Sequence, residues 1–384
     1  MPFFFSSIIW YALTYRSVPF AMESKGEEKL MYRKGIILLL LLPLLAAGCS
    51  QRAPSGTPAP TLSSAGSEEP LDTTLKLLDA AHDKITKDSG AYSLLFVRDG
   101  SILYEKYYNG ATRSQAHNIK SVTKVILSSL IGIAISEGRL RGVDQSISDF
   151  FPGYDWTSGK ERITIKHLLT MTDGLEIEEN SPLMMEIFAS DNWIDRILHL
   201  PLAYPPGETY NYSTASTHLL SAILAQATGM SALQYANEKL FSPLGFSADL
   251  WPADPQGHPL GGSNLHLTSV QLSRVGQLYL NGGEWDSKRI IPEEWIQEAT
   301  GFQSDGGGRP NSASYGYGWW LLNTIDAYRD RDIYVATGYG AQYMIIDPHA
   351  RTVVVATRVS EIPPDQVVDH WDALIATLSR PLQL

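Results

Sequence analysis

Cysteine is almost absent from this chain of 384 residues; the single one is Cys49. An intrachain disulfide is therefore excluded, and so is any Cys-x-x-Cys metal or redox site. There is no His-Glu-x-x-His pair, and the nine histidines show no ligand spacing. His258 and His266 come nearest to it and read better as loop or surface residues, so neither a metal nor another cofactor is expected. Basic residues are in deficit, with 30 Lys and Arg against 41 Asp and Glu for a net charge of −11. That balance argues against nucleic acid or an anionic membrane surface as the main partner. What remains, 44% hydrophobic and 18% charged, is the composition of an ordinary folded protein, long enough for one large or two medium domains.

The amino terminus reads as an address. Residues 31 to 49 are MYRKGIILLLLLPLLAAGC, in which Arg33 and Lys34 precede an apolar run from Ile36 to Gly48. That run is too short to span a bilayer comfortably but suits a secretory signal. The small residues Ala46, Ala47 and Gly48 before Cys49 resemble a bacterial lipobox, whose cysteine thiol is acylated. The expectation is an exported protein, lipid-anchored to the cell envelope through Cys49 and facing the periplasm; an ordinary signal peptide with a chance cysteine is the plainer account. Residues 1 to 30 have no role in such a signal, which points to Met31 or Met22 as the true start. Residues 50 to 70 are rich in Pro, Ser, Gly and Ala and read as a flexible tether.

Residues 71 to 384 read as one folded domain of the α+β class. LDTTLKLLDAAHDKI (71 to 85) has helical apolar spacing, and AYSLLFVRDGSILYEKYYNG alternates around Asp99-Gly100, a hairpin signal. Residues 121 to about 309 are mainly helices and loops. YGYGWWLL, DIYVATG, AQYMIID and TVVVATR then read as four strands, followed by a closing helix, PDQVVDHWDALIATLS. Strands at both ends predict one antiparallel sheet built from residues 71 to 120 and 310 to 384, flanked by helices. The helical part, 121 to 309, sits against it, with a ligand cleft between the two.

Within HNIKSVTKVILSSLIGIAISEG, Lys124 follows Ser121 by three positions at the head of an apolar run, which puts both on one helix face. A serine hydroxyl is a poor nucleophile unless a base takes its proton, and a lysine does that only when neutral. Burial in the apolar run VILSSLIGIAI would favour the neutral amine. The motif alone is weak, since Ser-x-x-Lys arises by chance about once in a chain of this size. It needs partners. Tyr212, in a turn before the apolar helix of STASTHLLSAILAQATG, is one candidate, and the Gly-rich strand end Gly338-Tyr339-Gly340 is another. The aromatic cluster Tyr315, Tyr317, Trp319 and Trp320 could line an acyl pocket or fill a core, and Asp173 reads as a turn residue. Gly261-Gly262-Ser263 lacks the glycine that a nucleophile elbow requires.

With these residues in view, the chain resembles the serine β-lactamase-related superfamily, which groups class C β-lactamases, DD-peptidases, and esterases and amidases such as the 6-aminohexanoate-dimer hydrolases. The likeness runs over roughly residues 90 to 360, in family order, from SVTKVILSSLIGIAISEGRL through ITIKHLLTMTDGL, PPGETYNYSTASTHLLSAI and YGYGWW to ATGYGAQYMIIDPHARTVVVATR. It implies a β-lactamase/transpeptidase-like fold, with Ser121 as the acylated nucleophile, Lys124 as its base and Tyr212 as the group that passes a proton to the leaving group. It further implies an oxyanion hole from the backbone N–H groups of Ser121 and Tyr339, with Thr214, Thr337, Gly338 and Gly340 lining the substrate. Two positions depart from the pattern: Thr214 stands where the family has asparagine, and Ala336 where lactamases and peptidases have a cation for the substrate carboxylate. The implied substrate is thus a small ester, amide or peptide-like molecule. A β-lactamase or DD-peptidase is the alternative, with Arg331 or Arg358 as a substitute cation. A non-catalytic envelope-binding protein on the same scaffold is the third reading.

Overall fold

A computed structural model describes residues 71–308 and 312–361. The signal region with Cys49, the tether and the closing helix all lie outside the described residues. In chain order, helix α1 (Leu71–Ile85) leads to strands β1 (Ala91–Arg98) and β2 (Ser101–Tyr107), joined at Asp99-Gly100. The short β3 (His117–Asn118) precedes α2 (Thr123–Ser136). Helices α3 (Ile165–Leu169), α4 (Pro182–Phe188), α5 (Trp193–Leu198), α6 (Thr214–Thr228) and α7 (Ala232–Ala236) follow. Next come β4 (His266–Leu267), α8 (Ser269–Leu280), the hairpin β5 (Glu284–Trp285) and β6 (Lys288–Arg289), and α9 (Glu293–Ala299). The chain returns to strands with β7 (Ser314–Tyr315), β8 (Trp320–Leu321), β9 (Tyr334–Gly338), β10 (Gln342–Asp347) and β11 (Thr352–Arg358).

Seven of the strands form one sheet in the order β2-β1-β11-β10-β9-β8-β7, and every pairing in it is antiparallel. The two ends of the chain meet where β1 pairs with β11, Leu95 opposite Val355. Strand side chains alternate between faces, and here both faces are covered. Leu94, Phe96, Ile345 and Val354 pack with Leu78, Ala81 and Ile85 of α1. Leu95, Val97, Met344, Val353 and Val355 belong to the larger core with Leu272, Val275 and Tyr279 of α8 and with the buried α2 and α6. Coverage on both sides is why TVVVATR carries no polar stripe.

Two readings of local structure change. YGYGWWLL is not one strand: Gly318 adopts φ +88°, a backbone open mainly to glycine, and the segment turns between the two-residue strands β7 and β8. Ser121 is not on the α-helix itself. It lies in a 3₁₀ turn, Lys120–Val122, that runs into α2. Lys120, just before it, sits in the left-handed region at φ +48°, a sparsely populated conformation for a side-chain-bearing residue that tends to accompany functional sites.

Candidate active site

Lys124 is in the first turn of α2 and only 3% exposed. Its Nζ lies 3.1 Å from Ser121 Oγ, 2.9 Å from Thr214 Oγ1 and 2.8 Å from the Gly262 carbonyl oxygen. The face of Tyr212 approaches the same nitrogen, with the ring centroid 4.7 Å away. None of these contacts is a carboxylate. A buried amine surrounded by neutral acceptors and an aromatic face is not compensated as a structural cation normally is. Ser121 itself is partly exposed, whereas the lysine behind it is buried.

Three segments converge on this nitrogen. The apolar run of α2 buries it. Helix α6 brings Thr214, its first residue, after the N-cap Ser213, whose side chain accepts from Ser216 N. The Gly261-Gly262 segment brings the carbonyl, and here glycine is needed for approach: a Cβ on Gly262 would meet Thr217 Oγ1 at 2.4 Å and Lys124 Nζ at 3.1 Å. A buried pair holds that segment. His218 Nε2 lies 2.9 Å from Asp254 Oδ2, and the backbone N–H of Gly261 donates to His218 Nδ1 at 3.3 Å. The sequence signal for this is the Gly261-Gly262 pair, where the backbone can approach closely.

The far wall is the end of β9. Gly338 packs on the residues before the serine; a Cβ there would stand 2.5 Å from the Ile119 carbonyl oxygen and 3.1 Å from Lys120 Cβ. Tyr339 and Gly340 continue into the turn, where Ala341 has φ +66°. Gln342 secures that turn: its Nε2 donates to the Arg358 carbonyl at 2.8 Å and to that of Gly340 at 3.2 Å, while its Oε1 accepts from Arg358 N at 3.1 Å. Thr337 is partly exposed beside Gly338. The structure therefore gathers Ser121, Lys124, Thr214 and Tyr212 at the amine and sets the Gly338 end of β9 beside the serine turn.

The aromatic cluster divides. Tyr315, Tyr317 and Trp319 are buried, with Trp319 packed on Tyr279 and Tyr334. Trp320 faces the site instead, stacked on Tyr212 at 6.2 Å and 18°. Tyr210 and Tyr315 complete an aromatic wall around it. Burial raises the hydroxyl pKa of both tyrosines. Asp173 is a turn residue, as read, but a buried one. Its Oδ1 accepts from Leu175 N at 3.0 Å, and burial pushes its pKa up to about 6.

The substitute cations do not reach the site as free charges. Arg331 pairs with Asp347, and Arg358 forms a buried pair with Asp88, its Nη2 2.8 Å from Asp88 Oδ1. Sequence reasoning missed one residue altogether. Glu179, in the loop before α4, accepts the Thr214 hydroxyl at 2.6 Å on Oε1 and the Thr214 backbone N–H at 2.8 Å on Oε2.

Comparison with known proteins agrees with this architecture. The profile of the Beta-lactamase family matches residues 80–377. A 6-aminohexanoate-dimer hydrolase of Paenarthrobacter ureafaciens is 24% identical over 313 residues, 73% of this chain and 75% of that protein. Among solved structures, the octameric penicillin-binding protein homologue from Pyrococcus abyssi superposes with a TM-score of 0.60 at 19% identity, covering 80% of this chain and 78% of the other. EstCE1, a hydrolase with promiscuous acyltransferase activity, superposes with a TM-score of 0.60 at 17% identity over 79% of this chain and 98% of the other.

Proposed function

Starting from the Beta-lactamase family, to which this chain belongs, we propose that the protein is a serine hydrolase that forms an acyl-enzyme on Ser121 from an ester or small amide. The observation that carries the reading is the buried Lys124 amine 3.1 Å from the Ser121 hydroxyl with no carboxylate against it among the described residues. In acylation the uncharged amine accepts the Ser121 proton as Oγ bonds to the substrate carbonyl carbon. The resulting ammonium keeps all three of its contacts as donations and gains the face of Tyr212. Little has to move when charge appears, which is what pre-organisation means energetically. The carbonyl electron pair is then an oxyanion, assigned to the N–H groups of Ser121 and Tyr339. As it collapses, the leaving group takes the proton back, through the hydroxyl of Tyr212 in this reading. Water then cleaves the Ser121 ester.

Ala336 leaves the β9 position without a cation, and Arg331 and Arg358 are spent on Asp347 and Asp88. That supports esters and small amides over substrates that present a carboxylate for recognition. Labelling with a fluorophosphonate, with and without Ser121→Ala, tests the assignment. A serine-dependent adduct and turnover of p-nitrophenyl acyl esters are expected; no adduct on the wild type overturns it.

Anchoring through Cys49 at the cell envelope belongs to the same proposal and rests on the sequence of residues 31 to 49. Among the described residues no helix is long and apolar enough to cross a membrane. Mass spectrometry of the mature amino terminus decides the matter: an acylated Cys49 is expected, and an unmodified chain that retains residues 31 to 48 refutes it.

A further inference from the structure

The serine hydrolase reading leaves open how an amine with several hydrogens comes to present a lone pair to the serine. We infer that Glu179 sets this direction, acting through Thr214 as a positioning residue for the base. An uncharged Lys124 has two N–H bonds and one lone pair to distribute among three neighbours. The Gly262 carbonyl only accepts, so it takes one N–H at 2.8 Å. Thr214 Oγ1 is ambivalent by itself, because a hydroxyl can either give or take. Glu179 removes the ambiguity. Its carboxylate accepts the Thr214 hydroxyl hydrogen at 2.6 Å, within the range of charge-assisted O–H···O bonds. Thr214 Oγ1 is then obliged to accept the second N–H of Lys124, at 2.9 Å. Both hydrogens are consumed, and the lone pair points at the remaining neighbour, Ser121 Oγ.

The second carboxylate oxygen locks the arrangement, because it takes the Thr214 backbone N–H at 2.8 Å. Glu179→Gln discriminates on this account. The glutamine Oε1 is needed by that backbone N–H, which places the amide NH₂ opposite the Thr214 hydroxyl. The hydroxyl must then accept from Gln and turn its own hydrogen toward Lys124, where it occupies the lone pair. Backbone capping survives in this variant while the hydrogen-bond direction reverses. A merely structural Glu179 would tolerate the change.

The experiment compares wild type, Glu179→Gln, Thr214→Ser and Thr214→Val for fluorophosphonate labelling rate, for kcat and KM on a p-nitrophenyl ester, and for Tm. Misdirecting a general base is expected to slow labelling and kcat by about 10- to 100-fold, with KM and Tm near wild type. Thr214→Ser keeps the hydroxyl and most of the rate, whereas Thr214→Val falls with Glu179→Gln. Labelling of Glu179→Gln within twofold of wild type overturns the inference and leaves the hydrolase reading standing. If Glu179→Gln does not fold, the Thr214 pair decides: a Val variant as fast as the Ser variant overturns it equally. A wild type that never labels removes both readings.

Discussion

Two buried basic side chains among the described residues are treated in opposite ways. Arg358, at the end of β11, meets the Asp88 carboxylate through two nitrogens, tying the turn after α1 to the strand that closes the sheet. Lys124 is as deeply buried yet meets a carbonyl, two hydroxyls and a ring. Desolvating a charge is costly unless an opposite charge answers it. The first cation is matched because its task is to be charged. The second is left unmatched because its proposed task is to change charge.

The largest effect should separate the two at once. Lys124→Met is expected to lower kcat/KM by about 100- to 10,000-fold, the usual range for a lost general base, while Tm in thermal denaturation stays near wild type or rises. Survival of near wild-type turnover in this variant would break the contrast. Arg358→Ala should do the reverse. Stranding Asp88 in the interior costs about 3–5 kcal/mol, read as a fall in the denaturation midpoint, while the fraction that stays folded labels normally.

Asp173 is a third case, a buried carboxyl that no cation among the described residues answers. Its pKa in the fold is about 6, raised by burial from 3.8, so the native state holds its proton more tightly than the unfolded chain. Its contribution to stability is complete below about pH 4, declines through pH 6 and is absent above. The full loss amounts to about 3 kcal/mol by linkage. Asp173→Asn keeps an oxygen for Leu175 N, and should be more stable than wild type at pH 8 but not at pH 4 in parallel urea titrations. The smallest effect belongs to Arg351 and Asp99, an ion pair 2.8 Å long with both partners more than half exposed. Arg351→Ala should cost less than about 1 kcal/mol, and screening by salt should shrink that further.

How much of this was legible in the sequence follows the range of the interactions. α1, β1, β2 and β9 to β11 were readable from local alternation and turn residues, because each is specified by its own side chains. The Ser121–Lys124 pair was readable for the same reason: it is one turn of chain. The Thr214 departure was visible but its partner was not, since Glu179 lies 35 positions earlier across a loop. Gly262 donates no side chain at all; its contribution is a carbonyl 138 positions from the lysine. YGYGWWLL was misread because aromatic residues suit a strand, whereas the φ of +88° at Gly318 belongs to the tertiary packing against α2. The split of Trp320 from Trp319 rests on that same turn.

The pairing of β1 with β11 sets an order on biosynthesis. Everything that bears on the serine, from Ser121 to Gly340, is translated before Thr352–Arg358, yet the sheet that holds Gly338 against the serine turn is joined to the first hairpin only through that last strand. A growing chain still lacking it has contacts of very long sequence separation left to make, the slowest kind to form. Reactivity should therefore switch on only once Thr352–Arg358 has been made, so a nascent chain halted before Thr352 is expected to ignore the fluorophosphonate that a chain carrying this strand takes up.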